Sequence, residues 1–204
     1  MALLLEELIA PGHTALITQE CQNGVIGVRP VFPALTEHTR DLIPTVDRLA
    51  KAARAVEVPV VHCLAVRRPD GLGANTNARM FGGAAKSPVL LEPGSHAAAV
   101  ADGIGVEPAD LILSRYHGLG PMADTGLAAT LRNMGVSTIV GVGVSLNVGM
   151  LNFAMDAVNA GFQFVMPREA VAGFPPEYAE AVLANTFNAI ATVTTVDAVL
   201  AAWA

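Results

Sequence analysis

The chain has 204 residues, of which 52% are hydrophobic and 15% are charged, and 12 Lys and Arg against 18 Asp and Glu give a formal net charge of −6. Because domains commonly have about 100–200 residues, we expect one folded domain over residues 1–204. The mean hydropathy of +0.48 excludes an intrinsically disordered chain. The absence of a Lys/Arg cluster excludes nucleic acid and an anionic membrane surface as partners.

The cysteine count and the start of the chain indicate the cellular compartment in which the protein is expected. Two cysteines, Cys21 and Cys63, are too few for a disulfide framework. The start of the chain lacks the positive region of a secretory signal. The longest uncharged stretch, 133–155, contains many Asn, Ser, Thr and Gly residues, which favours a buried strand and helix over a membrane span. We therefore expect a cytoplasmic protein that does not bind membranes.

Short apolar runs alternate with amphipathic segments along the whole chain, which is typical of βα units around a buried parallel sheet. The pattern predicts an α/β fold: three layers, α/β/α, with a doubly wound, mainly parallel six-stranded sheet of the Rossmann-like kind. The predicted strands are Thr14–Glu20, Val58–Val66, Leu111–Arg115, Thr138–Val144, Phe162–Met166 and Thr192–Val196.

The segments between the strands predict helices. Leu42, Val46 and Leu49 recur at three- and four-residue steps and form a core-facing stripe. The predicted helices are Asp41–Val56, one capped by Asp124 or Thr125 and ending at Gly135, Asn147–Asn159, Pro176–Ala191 and a last turn capped by Asp197. Residues 67–85 and 117–123 interrupt this alternation. Since both follow strands, we expect them at the carboxyl edge of the sheet, where α/β proteins bind ligands.

Glu20 is a candidate for acid or base chemistry, because it ends an apolar strand in a run of polar and reactive residues. A carboxyl group at the end of a central strand lies in the cleft and is partly desolvated, which suits proton transfer. An equally good alternative is a structural Glu that pairs with an Arg. The segment Ser114–Gly118 offers Arg115 and His117 where the third strand ends, and such a cation can hold an anionic substrate or neutralise Glu20.

Other catalytic groups find less support in the sequence. Cys21 is a possible nucleophile, but it adjoins Glu20 in a strand, where neighbouring side chains point to opposite faces. Cys63 lies in an apolar run and is expected to pack in the core. The histidines are too scattered for a metal site, and the glycines of 141–145 do not complete a dinucleotide fingerprint, so we expect neither metal nor cofactor. These histidines are His13, His38, His62, His96 and His117.

From Thr14 to Val196, the order and spacing of four segments resemble the isochorismatase-like superfamily, whose members are often called cysteine hydrolases. Residues 14–24 resemble the first strand of the family, which ends in Asp-x-Gln-Asn. Residues 124–144 are similar to its helix and fourth strand, and 145–162 to its nucleophile loop and the following helix. Residues 167–173 stand where the family has Asp-Ala.

The resemblance implies an Asp, a Lys and a Cys as working residues, and all three positions differ here. Glu20 stands at the Asp position and Gly149 at the Cys position. The Lys position falls at or beside Tyr116, so the cation is Arg115 or His117. Without the thiolate, the covalent chemistry of the family's amidases is lost. True isochorismatases resemble this chain in carrying Gly there, and they cleave a vinyl ether without a covalent intermediate.

The resemblance therefore implies a hydrolase that acts on a small polar or anionic molecule without a Cys nucleophile, with Glu20 as its acid or base. Arg115 and His117 are expected to bind or polarise the substrate. If Arg115 lies beside Glu20, it favours the ionised carboxylate; Glu20 would then serve as a base or orienting group, and His117 would be the proton donor. Backbone N–H groups near Gly149 are expected to hold a developing negative charge. The remaining residues expected to contact the substrate are Gln22, Tyr116, Ser145 and Asn147. The family also implies a homo-oligomer, a dimer or a tetramer. The alternative is a catalytically inactive relative that serves as a binding or assembly module.

Overall fold

The structure, a computed structural model, describes residues 4–36 and 39–204, so His38, one of the scattered histidines, lies outside the described residues. Its centre is a seven-stranded sheet in the order β3-β2-β1-β4-β5-β7, in which every ladder is parallel and β6 pairs with β4. The strands are β1 Thr14–Gln19, β2 Val60–Ala65, β3 Leu111–Arg115, β4 Thr138–Val144, β5 Gln163–Pro167, β6 Val171–Ala172 and β7 Thr192–Thr194. The predicted parallel α/β sheet is confirmed. It gains one strand, β6, because two residues pair with the end of β4.

Helices flank this sheet on both faces. They are α1 Leu5–Leu8, α2 Asn23–Ile26, α3 Pro33–Thr36, α4 Leu42–Ala55, α5 Arg79–Lys86, α6 Leu127–Asn133, α7 Leu151–Asn159, α8 Pro176–Val182, α9 Asn188–Ile190 and α10 Val196–Ala202. Two π-helical turns, Leu146–Met150 and Leu183–Phe187, precede α7 and separate α8 from α9. None of the helices in the described residues is long and apolar enough to cross a membrane.

The structure corrects one local prediction and adds detail to two others. The segment 67–85, which interrupts the predicted alternation, contains the start of a helix, because α5 begins at Arg79. Thr195, rather than Asp197, caps α10, since its side chain accepts a hydrogen bond from the Ala198 N–H at 3.1 Å. At the start of α6, Thr125 Oγ1 accepts from the Leu127 N–H at 3.2 Å, whereas Asp124 lies outside the helix with a φ of 54°.

The core forms one layer on each face of the sheet, as the alternation of side chains along a strand requires. Leu16 of β1 packs with α4 on one face, and Ile17 packs with α6 and α7 on the other. Because both faces are covered, the loops at the carboxyl ends of the strands are the part of the sheet region left open for a ligand.

Candidate functional site

A cleft of about 170 Å³ lies at the carboxyl edge of the sheet. Glu20 directly follows β1, Arg115 ends β3 and Ser145 directly follows β4, and all three line this cleft. Strand β2 lies between β1 and β3 and ends in Ala65, whose small side chain also lines the cleft. A methyl group at that position leaves room for the Arg115 side chain to reach across β2 toward Glu20.

Glu20 and Arg115 form an ion pair inside the cleft. The Arg115 Nη2 group donates to Glu20 Oε1, and the side chains are 5% exposed for Arg115 and 21% for Glu20. Glu20 has a φ of 54°, a conformation that is uncommon outside glycine and ends the strand. Arg115 Nη2 also lies 3.4 Å from the Leu119 carbonyl oxygen, while Nε and Nη1 find no partner among the described residues. The structure thus brings two of the predicted residues together.

The end of β4 forms the floor of the cleft. The Val144–Ser145 peptide bond is cis, and the Ser145 carbonyl accepts from the N–H groups of Val148 at 3.2 Å and Met150 at 2.9 Å. Gly149 lies in the same turn and lines the cleft, as does Ser145. Because the Val148 N–H is used inside the turn, it does not serve as the expected donor to an anion.

Tyr116 and His117 lie further out. Both are exposed and line a second pocket of about 120 Å³, which adjoins the cleft and shares Arg115 with it. Arg115 is therefore the member of this segment that contacts Glu20, whereas Tyr116 and His117 line the adjoining pocket.

Gln22 and Asn147 use their amides to hold the backbone. Gln22 Nε2 donates to the carbonyls of Ala65 and Ala98, both at 2.8 Å, and its Oε1 accepts from the Ala65 N–H at 2.9 Å. Asn147 Nδ2 donates to the Phe174 carbonyl at 3.0 Å. Neither side chain lines the cleft. Gln22 thus fixes the end of β2 beside the site rather than presenting its amide to a substrate, which corrects the expected contact.

Gln19 is a residue of this region that the sequence reasoning missed. It is completely buried at the end of β1, and neither amide atom has a hydrogen-bond partner among the described residues. A Cβ built on Gly149 would lie 2.2 Å from Gln19 Nε2 and 3.1 Å from the Leu119 carbonyl oxygen. The available signal was a polar amide within an otherwise apolar strand, directly before Glu20.

The two thiols are buried and unsuited to nucleophilic attack. Burial, followed by the nearby Glu20 carboxylate, raises the pKa of Cys21, and burial raises the pKa of Cys63 to about 12. Both cysteines are free, and neither lines the cleft. An activated cysteine has a depressed pKa and partial exposure, so the structure contradicts the Cys21 alternative.

The walls of the cleft are mainly apolar. Val25, Phe32, Met80, Phe81 and Leu91 contribute to them from α2, the segment around α3, and α5 with the residues after it. Among the described residues, no three His, Cys, Asp or Glu side chains are grouped as a metal ion would require. The site therefore combines one partly buried ion pair with mainly apolar walls.

A family model described as the isochorismatase domain matches residues 14–198. The chain belongs to the isochorismatase family. A curated relative, the uncharacterized isochorismatase family protein YwoC of Bacillus subtilis, is 25% identical over 179 residues, which is 87% of each chain. The fold and the family that the sequence resembles are thus confirmed.

Solved structures share this fold over nearly the whole chain. An isochorismatase family protein from Burkholderia thailandensis has a TM-score of 0.79 and 28% identity, covering 95% of this chain and 96% of its own. A cysteine hydrolase from Pseudomonas syringae pv. phaseolicola has a TM-score of 0.82 and 20% identity, covering 96% and 94%.

Proposed function

We propose that this isochorismatase family member is a hydrolase that acts on a small anionic molecule without a cysteine nucleophile, with Glu20 as its acid or base. The observation that carries the proposal is the Glu20–Arg115 ion pair in an apolar cleft that no thiol lines. Glu20 is also the one acidic side chain among the described residues of the cleft lining. Proton transfer to or from a bound molecule therefore falls to Glu20.

The contact of Gly149 with Gln19 supports the absence of a thiol mechanism. We assign Gly149 to the position of the family's nucleophile on the sequence pattern. A side chain there would start 2.2 Å from Gln19 Nε2, well inside van der Waals contact. The Gln19 amide occupies the space that a cysteine side chain at position 149 would need. The attacking group is therefore water.

The proposed mechanism follows from the charges. The Glu20 carboxylate accepts a proton from water, the water oxygen bonds to the electrophilic carbon, and the proton then passes to the leaving group. For a vinyl ether the order reverses. Glu20 in its protonated form delivers its proton to the enol carbon, water adds to the resulting oxocarbenium ion, and the added water returns a proton to the Glu20 carboxylate. The hemiketal then breaks its C–O bond and releases a ketone and the alcohol. In both cases Arg115 holds negative charge on the substrate and orients Glu20.

The direct test measures hydrolysis by the purified protein. The first substrate is isochorismate, whose hydrolysis is measured by the release of pyruvate. The others are a panel of small anionic amides and esters. Glu20→Gln should lower kcat by about 10²–10⁴-fold, the usual contribution of a general acid or base. The double variant Cys21→Ser, Cys63→Ser serves as the control and should retain activity.

Two results would contradict this proposal. Loss of activity in the double cysteine variant, with the fold intact by circular dichroism, would restore a thiol mechanism. Absence of hydrolysis across the whole panel would favour the second function, a binding or assembly module that retains the fold.

A further inference from the structure

Eight buried side-chain nitrogen and oxygen atoms of the described residues have no hydrogen-bond partner, and four of them belong to Gln19 and Arg115; the others belong to His13, His62, Asn147 and Asp156. Buried polar side-chain atoms in proteins nearly always have hydrogen-bond partners, so exceptions call for an explanation. Within residues 4–36 and 39–204, both amide atoms of Gln19 are unpaired, as are Nε and Nη1 of Arg115. Gln19 is completely buried and Arg115 is 6% exposed.

Gln19 and Arg115 approach the same part of the cleft floor. Gln19 Nε2 lies 2.2 Å from the point where a Cβ on Gly149 would stand, and the Leu119 carbonyl oxygen lies 3.1 Å from that point. Arg115 Nη2 is 3.4 Å from the same carbonyl oxygen. Both Gly149 and Leu119 line the cleft. Gln19 does not line the cleft itself, but its amide lies against Gly149, which does, so the floor at Gly149 is where a ligand group would approach both unpaired side chains.

The chemistry of the unpaired atoms defines the ligand. Three of the four are nitrogen atoms that donate hydrogen bonds, namely Gln19 Nε2 and Arg115 Nε and Nη1. Arg115 also carries a positive charge. A carboxylate provides the negative charge and several acceptor lone pairs that such a donor set requires. The neighbouring walls, including Val31, Phe81 and Leu91, favour an apolar body attached to it.

We propose that Gln19 is a substrate-binding residue. Its Nε2 donates a hydrogen bond to one carboxylate oxygen of an aromatic or similarly apolar acid, and Arg115 holds the other oxygen. This inference rests on the proposed function, since it names the charged group of the substrate and where that group binds. Gly149 is part of the site because any side chain there would displace the Gln19 amide.

The three glutamines of the chain provide an internally controlled test. Protein labelled with ¹⁵N-glutamine gives side-chain amide signals from Gln19, Gln22 and Gln163 alone, and the variant Gln19→Leu assigns the first of them. Gln22 is bonded to the backbone, and Gln163 is exposed at the start of β5. Titration uses benzoate, with neutral benzamide as a probe of the same shape.

Benzoate should shift the Gln19 amide signal in a saturable way and leave the Gln22 and Gln163 signals in place. Benzamide should bind at least about tenfold more weakly, because a hydrogen bond to a charged group is stronger than one to a neutral group. Gln19→Leu and Arg115→Lys should each weaken benzoate binding, and in Arg115→Lys the charge beside Glu20 is retained, which supports folding.

The possible failures are distinguishable. Benzoate that binds through Arg115 while the Gln19 signal stays fixed overturns the inference and leaves the proposed hydrolysis standing. No benzoate binding up to its solubility limit also overturns the inference. A Gln19 shift in a protein without Glu20-dependent hydrolysis supports this binding site and counts against the proposed function.

Discussion

At the scale of single residues, Gln19 and Gly149 depend on each other. The amide nitrogen of Gln19 stands where a side chain at position 149 would begin, so neither residue can be exchanged freely. Chemistry at this site is limited by that contact: a cysteine placed at 149 would first have to move a completely buried amide. The carboxylate of Glu20 and the guanidinium of Arg115 are the charged groups among the described residues that line the cleft.

Gly149→Ala should destabilise the protein, because the added methyl group collides with Gln19 Nε2 at 2.2 Å. Overpacking of a tight interior typically costs about 1–3 kcal/mol. Urea unfolding checks the value. The matched control is Gly82→Ala in α5, where an added Cβ meets nothing within 4 Å. It should be neutral or raise the free energy of unfolding by up to about 1 kcal/mol. Equal losses in the two variants would contradict this account of Gly149.

At the scale of elements, the sequence predicted the strands and helices whose buried residues form a regular apolar pattern. The apolar runs of β1 to β5 were found within a few residues, and β3 and β4 have the predicted bounds. Helix α5 was missed because it contains two glycines and buries no side chain in the core, so it lacks a core-facing stripe. Strand β6 was missed because two residues are too few to show any periodicity.

The candidate site was predictable only where charge marked it. Glu20 and Arg115 were found as the polar ends of apolar strands, and they do meet. The sequence could not show whether Gln22 and Asn147 bind a substrate or hold the backbone, because a side-chain amide can do either and the residue type is the same in both cases. Their hydrogen bonds go to Ala65, at the end of β2, and to Phe174, which are 43 and 27 residues away in the chain.

The cap of α10 gives a prediction at this scale. Thr195→Ala should lower the free energy of unfolding by about 1 kcal/mol, the usual cost of losing a capping hydrogen bond. Asp197→Ala should cost less, since Asp197 makes only an exposed ion pair with Arg48 at 3.4 Å. Thermal or urea unfolding of the two variants measures which substitution costs more. A larger loss of unfolding free energy for Asp197→Ala would indicate that Asp197, and not Thr195, caps α10.

At the scale of the whole molecule, one buried polar chain crosses the sheet and ties it to α4. Thr18 Oγ1 of β1 lies 2.9 Å from His62 Nδ1 of β2, and His62 Nε2 lies 3.4 Å from Asp110 Oδ2, just before β3. Arg54 of α4 donates to both oxygens of Asp110, at 3.1 and 2.7 Å. Burial lowers the pKa of His62, and the Asp110 carboxylate offsets this only in part.

The buried His62 imidazole makes the free energy of unfolding depend on pH below neutrality. Because the pKa of His62 is lower in the folded than in the unfolded protein, the unfolded state binds the proton first as pH falls. The stabilisation is complete above the usual histidine pKa of about 6.5 and decreases below it by up to about 1.4 kcal/mol per pH unit. The loss stops once the pH passes the lower pKa of the folded state.

His62→Gln should therefore flatten the dependence of unfolding free energy on pH between about 6.5 and 5, a window above the usual Asp pKa of about 3.9, where Asp110 does not yet titrate. Urea unfolding at several pH values measures the slope for each variant. His96→Gln is the control, because His96 lies at the surface and pairs with Asp102 at 2.9 Å; its slope should match that of the wild type. If His62→Gln and the wild type lose stability in parallel across this window, the buried imidazole is not the group that makes stability depend on pH.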